Sequence, residues 1–134
     1  MSDAKKPVVG SVGWMDLTVK DAEAVRDFYQ EVVGWKPSPM DMGGYQDFVM
    51  STPGKEEPVS GVCHARGSNA GLPPVWLIYL TVEDLDRSVE KVKQRGGKVR
   101  QEIRSLGAMG RMCVIEDPAG AVSALFEPPR AQQG

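Results

Sequence analysis

The order of apolar and polar positions predicts a β-strand followed by a helix near the start of the chain. Positions 14–19 alternate, with Met, Leu and Val at the odd positions and Trp, Asp and Thr at the even ones, as in a strand with two unlike faces. Helical spacing follows. We expect this helix to begin at the N-cap Asp21 and to end at Gly34. Its apolar stripe consists of Val25, Phe28, Tyr29, Val32 and Val33.

The same order recurs in the second half of the chain. Residues 77–82 alternate, with Ile78, Leu80 and Val82 on one face. Asp84 is then predicted to cap a second helix, which has a weaker apolar stripe and ends at Gly96-Gly97.

Shared landmarks indicate that the two halves are copies of one module. Leu17–Asp21 and Leu80–Asp84 have the same Leu-Thr-Val-x-Asp pattern, 63 residues apart (80 minus 17). Gly34 and Gly97 have the same separation, and Thr52-Pro53-Gly54 is matched later by Asp117-Pro118-Ala119-Gly120. Landmarks in the same order indicate a duplicated supersecondary unit, in which neither half closes its core alone.

Each helix is expected to be followed by three further strands, which gives an α+β fold of two βαβββ modules. We predict one domain over residues 8–128, with a first module at about 8–66, a linker at about 67–74 and a second module at about 75–128; residues 1–7 would be a disordered N-terminus and 129–134 a tail. The predicted later strands are Lys36–Pro39, Tyr45–Ser51, Val59–Ala65, Lys98–Ile103, Arg111–Glu116 and Ala121–Glu127. Two glycine-bearing loops, Met40–Gly44 and Ser105–Gly110, are either ordinary surface loops or a rim over a cavity.

Composition excludes several classes of function. The net charge is −2 with both signs dispersed, which does not favour binding to nucleic acid. Apolar runs are too short to span a bilayer. Met1–Pro7 has no apolar core of a signal peptide, so a cytoplasmic location is expected. Cys63 and Cys113 are interpreted as two reduced core thiols.

The ordered motifs resemble those of the vicinal oxygen chelate superfamily, the glyoxalase/bleomycin-resistance/dioxygenase type. The resemblance rests on Asp16–Asp21, Phe28-Tyr29, Gly34-Trp35, Gly96–Val99 and Asp117–Ala121. It covers nearly the whole chain, and implies a mixed sheet curled into a cup, with helices on its outer face, and commonly a homodimer.

The resemblance also implies positions for metal ligands, and this chain has no suitable side chains there. Those positions are Trp14, Leu77, Ala124 and one between Val59 and Gly61. Divalent metals in proteins need carboxylate, imidazole or thiolate donors. We therefore expect no metal and no other cofactor.

The mixed strand faces supply the candidate ligand-binding residues. Asp16 is either a structural hydrogen-bonding group or a ligand anchor or general base. Tyr79 is its counterpart in the repeat, and the resemblance implies first strands that lie side by side, with Asp16 and Tyr79 close together. His64, the one histidine, is either a partly buried structural group or a ligand contact, and Arg111 is either an anchor or a surface residue. The complete predicted set is Trp14, Asp16, Phe48, His64, Leu77, Tyr79, Arg111, Ala124 and Phe126.

Three functions are compatible with these residues. The leading hypothesis is a metal-independent protein that binds a small molecule and forms a homodimer. The alternative is an enzyme of the same superfamily, a lyase, isomerase or dioxygenase-like protein, using Asp16, Tyr79 and His64 or an unrecognised metal site. The third is a partner-binding subunit whose cup is filled by its own side chains. The identity of any ligand is not predicted.

Overall fold

The computed structural model describes residues 7–129, which divide into two compact units: residues 14–76, and residues 77–129 together with 7–13. The first unit contains one complete module, with β-strands in the order β2-β3-β4-β1. β1 and β4 are parallel, and the other neighbouring strands are antiparallel. The elements are β1 (Val12–Val19), α1 (Ala22–Val33), β2 (Lys36–Asp41), β3 (Gln46–Ser51) and β4 (Pro58–His64).

The second unit repeats this arrangement with strand order β5-β8-β7-β6. Its first strand is parallel to its last, and the remaining pairs are antiparallel. Residues 7–13 belong here because Gly10 and Ser11 exchange backbone hydrogen bonds with Thr81. The elements are β5 (Trp76–Thr81), α2 (Leu85–Gln94), β6 (Lys98–Ser105), β7 (Arg111–Glu116) and β8 (Val122–Glu127). The predicted α+β class with two βαβββ modules is therefore confirmed.

The strand registers reproduce the sequence repeat. Asp16 is opposite Gly61 in the first unit, and Tyr79 is opposite Ala124 in the second. Both members of the second pair are 63 residues after their counterparts (79 minus 16 and 124 minus 61). The implied metal-ligand position between Val59 and Gly61 is therefore assigned to Gly61.

The predicted helix caps are confirmed. The carboxylate of Asp21 accepts a hydrogen bond from the backbone N–H of Ala24 at 3.1 Å, and that of Asp84 accepts one from Arg87 at 3.2 Å. Gly34 ends α1 with a φ of 87°, the left-handed conformation that costs glycine least.

The apolar stripe of α1 only partly faces the sheet. Val25 and Tyr29 pack against a core that also contains the fully buried Ala22. Phe28 and Val32 remain 56% and 63% exposed. The helix buries only one narrow side, so the predicted stripe is too wide. The prediction also omits Ala22, a small residue on the buried side.

Residues 1–6 and 130–134, which make up most of the predicted terminal segments 1–7 and 129–134, lie outside the described residues. Within residues 7–129, neither helix has the length and hydrophobicity needed to cross a membrane.

Candidate functional site

The sheet of the first unit has a polar face on the side opposite α1, which we call the acidic face and define as Asp16, Thr18, Asp47, Gly61 and Cys63. Strand register places Asp16 beside Gly61 and Thr18 beside Cys63. Asp47 adjoins Phe48 in β3, and Phe48 packs on the α1 side. Because successive strand residues point to opposite faces, Asp47 joins the acidic face.

Gly61 leaves space for the carboxylate-bearing side chain beside it. A Cβ atom at position 61 would lie 3.3 Å from the Cβ of Asp16 and 3.7 Å from the Sγ of Cys63. Because Gly61 has no side chain, no group separates Asp16 from Cys63 at this position, and the two are close enough to interact electrostatically.

The environment of Cys63 keeps its thiol protonated. Burial raises the pKa of Cys63, and the nearby carboxylates of Asp16 and Asp47 raise it further. The Asp47 carboxylate is also close enough to the thiol to favour its protonated, hydrogen-donating form. Nucleophilic attack and metal ligation by cysteine both require the thiolate. Cys63 is thus suited to act as a neutral hydrogen-bonding group rather than as a nucleophile.

Asp47 connects the acidic face to His64 at the end of β4. Its carboxylate accepts a hydrogen bond from the His64 backbone N–H at 2.8 Å, and the same oxygen lies 3.4 Å from the imidazole Nδ1. The two side chains are only 8% and 15% exposed. The His64 ring also packs edge-on against Tyr45, with a centroid distance of 5.7 Å. The backbone bond and the ring contact place the imidazole next to a buried carboxylate, while its Nδ1 atom forms no hydrogen bond within residues 7–129.

Two other predicted residues of the first unit occupy different environments. Trp14 is partly buried at the start of the unit, on the strand that carries Asp16. Phe48 is 3% exposed in the core beneath α1. The structure therefore does not bring Phe48 together with Asp16, because the two side chains are on opposite faces of the sheet.

In the second unit, four predicted residues share the sheet face opposite α2: Leu77, Tyr79, Ala124 and Phe126. Tyr79 is in register with Ala124, and Thr81 with Phe126. Leu77 has the same strand parity as Tyr79 and is 3% exposed. None of the predicted residues on this face belongs to the buried cluster beneath α2.

Arg111 is part of an ion-pair network at the end of the second sheet. Its guanidinium donates to Glu127 at 3.0 and 3.2 Å and to Asp86 at 3.0 Å. The hydrogen bonds to Glu127 are the main cause of a pKa for Arg111 above its already high ordinary value, followed by that to Asp86. Glu127 also accepts from the backbone N–H of Leu85 at the start of α2. Arg111 thus has a defined structural role.

Sequence reasoning missed Asp47, which is 5% exposed. The available signal was its position in the alternating segment Gln46–Ser51, where it shares strand parity with Val49 and Ser51. A carboxylate at such a position must find partners when it is buried.

The fold and these motifs correspond to a known family. The model of the Glyoxalase/Bleomycin resistance protein/Dioxygenase superfamily matches residues 11–124. The chain belongs to this superfamily.

Two superfamily relatives resemble most of the chain. CFP32 of Mycobacterium bovis, provisionally named a glyoxylase, is 34% identical over 122 residues, covering 88% of this chain and 46% of that protein. The anthracycline biosynthesis protein DnrV of Streptomyces peucetius is 30% identical over 130 residues, with coverage of 87% and 46%. The chain therefore spans about half the length of these relatives.

Solved structures of other proteins share the fold. The Mn(II)-bound glyoxalase of Novosphingobium aromaticivorans superposes with a TM-score of 0.58 at 19% identity, covering 93% of this chain and 43% of that one. Methylmalonyl-CoA epimerase of Mycobacterium tuberculosis superposes with a TM-score of 0.53 at 19% identity, covering 87% of this chain and 86% of that one. At these identities the likeness concerns the fold alone.

The positions at which the superfamily implies metal ligands do not fit a divalent ion in this chain. Trp14, Gly61, Leu77 and Ala124 provide no donor side chain. Within residues 7–129, no group of three or more histidine, cysteine or acidic residues is arranged to hold a metal.

The raised pKa of Cys63 predicts a loss of stability at alkaline pH. An unfolded thiol titrates near pH 8.5. Above that pH the unfolded chain releases a proton that the folded chain retains, so stability is complete below about pH 8.5 and decreases above it, by up to about 1.4 kcal/mol per pH unit. Urea unfolding from pH 7 to 10 should therefore show a shallower alkaline loss in Cys63→Ser than in the wild type.

Cys113 is expected to add its own contribution to the alkaline loss of stability. Burial is the main cause of its raised pKa, so Cys113→Ser should remove a separate part of the alkaline decrease in the free energy of unfolding. The double variant should remove more of this decrease than either single variant. An unchanged slope in Cys63→Ser would contradict a protonated thiol at this position.

Proposed function

We propose that this protein binds a small molecule without a metal ion, and that the acidic face of the first unit is the binding surface. The observation that carries the proposal is the placement of two carboxylates, Asp16 and Asp47, around the protonated thiol of Cys63 on a sheet face opposite the helix. A buried carboxylate next to a partly buried one favours a cationic or hydrogen-bond-donating group. The corresponding ligand is an aromatic or amphiphilic compound with an amine.

Trp14 supports an aromatic part in the ligand. It lies on β1 two residues before Asp16, and therefore on the same face of that strand. Stacking on an aromatic side chain contributes roughly 0.5–1.5 kcal/mol beyond burial. Trp14→Ala should accordingly weaken binding by up to about tenfold.

Metal independence is supported by the chemistry of the implied ligand positions. Gly61 and Ala124 are opposite Asp16 and Tyr79 in the strand registers, and neither can coordinate a metal. Purified protein that contained about one Mn, Zn, Fe or Ni ion per chain by elemental analysis would contradict this part of the proposal.

A second candidate function, metal-free acid–base catalysis, is favoured by one observation. The buried Nδ1 atom of His64 forms no hydrogen bond within residues 7–129 and lies 3.4 Å from the carboxylate of Asp47, so a small shift of either side chain would pair them and orient the imidazole for proton transfer. Turnover of a bound compound that is lost in His64→Gln, while the affinity for the compound is retained, would favour the enzyme over the binder.

A thermal-shift experiment tests binding, with phenethylamine as the probe and 2-phenylethanol as its neutral counterpart. We expect phenethylamine to raise the melting temperature of chelator-treated protein and 2-phenylethanol to have a much smaller effect. Asp16→Asn, which preserves shape and removes charge, should abolish the difference between the two compounds. An equal response to both would contradict the role of the carboxylates.

We propose a second copy of this chain as the partner, as the resemblance implies. The support is the exposed apolar surface of α1, where Phe28 and Val32 are 56% and 63% exposed. Light scattering at micromolar concentration should give twice the chain mass of 14.6 kDa, and Phe28→Asp should shift it toward the monomer. A monomeric wild type would contradict this proposal.

A further inference from the structure

A cavity of about 220 Å³ lies on the α1 side of the first unit, away from the acidic face. Residues of α1 and of β2 and β3 line it, and they include Arg26, Gln30, Gln46 and Phe48. The volume corresponds to roughly seven water molecules, and it is below the range of drug-sized pockets, which begins at about 300 Å³. The cavity therefore suits a ligand the size of one substituted ring.

Arg26 is positioned in this cavity before any ligand arrives. Its guanidinium carbon lies 4.6 Å from the centroid of the Phe48 ring, and its Nε donates to Asp27 at 2.9 Å. Among residues 7–129, this is the one hydrogen bond of its guanidinium, so both Nη groups can donate to a ligand. The stacked arginine loses little conformational freedom when it forms such bonds.

The other lining groups favour a flat ligand with a polar edge. Pro37 and Pro39 form an apolar wall. The amides of Gln30 and Gln46 add donors and acceptors that can bind ring substituents. Asp27 is 61% exposed and already paired with Arg26, so its repulsion of an anion is reduced by pairing and by solvent.

We propose that this cavity is a second binding site, specific for a small aromatic carboxylate that pairs with the Nη groups of Arg26. A carboxylate accepts two parallel hydrogen bonds from a guanidinium, a geometry that an amide cannot match. The site uses none of the residues of the acidic face, so its test is independent of the function proposed above.

Titration with sodium benzoate, followed by two-dimensional amide NMR, tests this proposal. We expect saturable shifts at residues of the cavity in the millimolar range, and binding of benzamide that is weaker by about tenfold or more. Arg26→Gln should weaken benzoate binding to a similar extent. The matched control is Arg66→Gln, because Arg66 stacks at 4.2 Å on Tyr45 and is not part of the cavity lining; it should leave the affinity for benzoate unchanged.

Several results would overturn the proposal. These are no saturable shift up to about 50 mM benzoate, equal affinity for benzoate and benzamide, or an equal loss of affinity in Arg26→Gln and Arg66→Gln. Preference for benzamidine over benzoate would show that Asp27 governs the cavity instead. The comparison of ligands uses wild-type protein alone, so it decides the question even if Arg26→Gln folds poorly.

Discussion

Gly110→Ala is expected to lower the free energy of unfolding by about 3 kcal/mol or more. Gly110 has φ 118° and ψ −150°, a region of backbone conformation that is essentially restricted to glycine. A Cβ atom here would overlap the backbone oxygen of Glu127 and lie 3.1 Å from the Cα of Pro128. Backbone atoms at the end of β8 cannot move aside as a flexible side chain can, so the strand pairing itself would shift.

Gly107→Ala in the same loop is the matched control for this substitution. Gly107 also has a positive φ, 67°, but no heavy atom lies within 4 Å of the position that its Cβ would take. Gly107→Ala should lower the free energy of unfolding by about 1 kcal/mol, because only the left-handed backbone conformation is unfavourable for alanine there. Urea unfolding of the two variants separates these cases, and equal losses of stability would contradict the close contact between Gly110 and Glu127.

Glu127→Ala is expected to lower the free energy of unfolding by about 2 kcal/mol, because it removes a buried carboxylate that accepts from the partly exposed Arg111 and from the start of α2. Glu127 is 6% exposed and binds both Arg111 and the backbone N–H of Leu85. Removing it leaves the start of α2 without that acceptor and Arg111 without its buried counter-charge. Glu127→Gln should cost less, because the amide oxygen can still accept from Leu85.

A more exposed carboxylate in the same sheet provides the control. Glu116 accepts from Arg100 at 2.8 Å, with side-chain exposures of 26% and 36%. Exposed pairs contribute at most about 1 kcal/mol, so Glu116→Ala should have a much smaller effect on urea unfolding than Glu127→Ala. A loss of stability in Glu127→Ala that is no larger than in Glu116→Ala would show that the network does not stabilise α2.

The sequence predicted the features that depend on local chemistry. Asp21 and Asp84 cap their helices through bonds to residues three positions later, and Gly34 adopts a backbone conformation that other residues avoid. The repeat was visible because both modules need the same residues at the same turns. For this reason the class of the fold could be derived before the strand registers were known.

The candidate site was predictable only in part, because it depends on pairing between distant strands. Asp16 was identified from its alternation in β1, but Asp47 becomes its neighbour through β4, which lies between β1 and β3. Phe48 was predicted as a ligand contact on aromatic character alone, and its strand parity places it beneath α1. The predicted proximity of Asp16 and Tyr79 concerns residues of different units and stays a prediction.

The most direct test of metal-independent binding at the acidic face is isothermal titration of phenethylamine into chelator-treated protein, comparing the wild type with Asp47→Asn and Asp27→Asn. Asp47 lies on the acidic face, and Asp27 is 61% exposed on α1. We predict saturable binding to the wild type without added metal, an affinity lower by about tenfold or more in Asp47→Asn, and no change in Asp27→Asn. Binding that needs a divalent ion, or that is equally strong in Asp47→Asn and the wild type, would contradict the account.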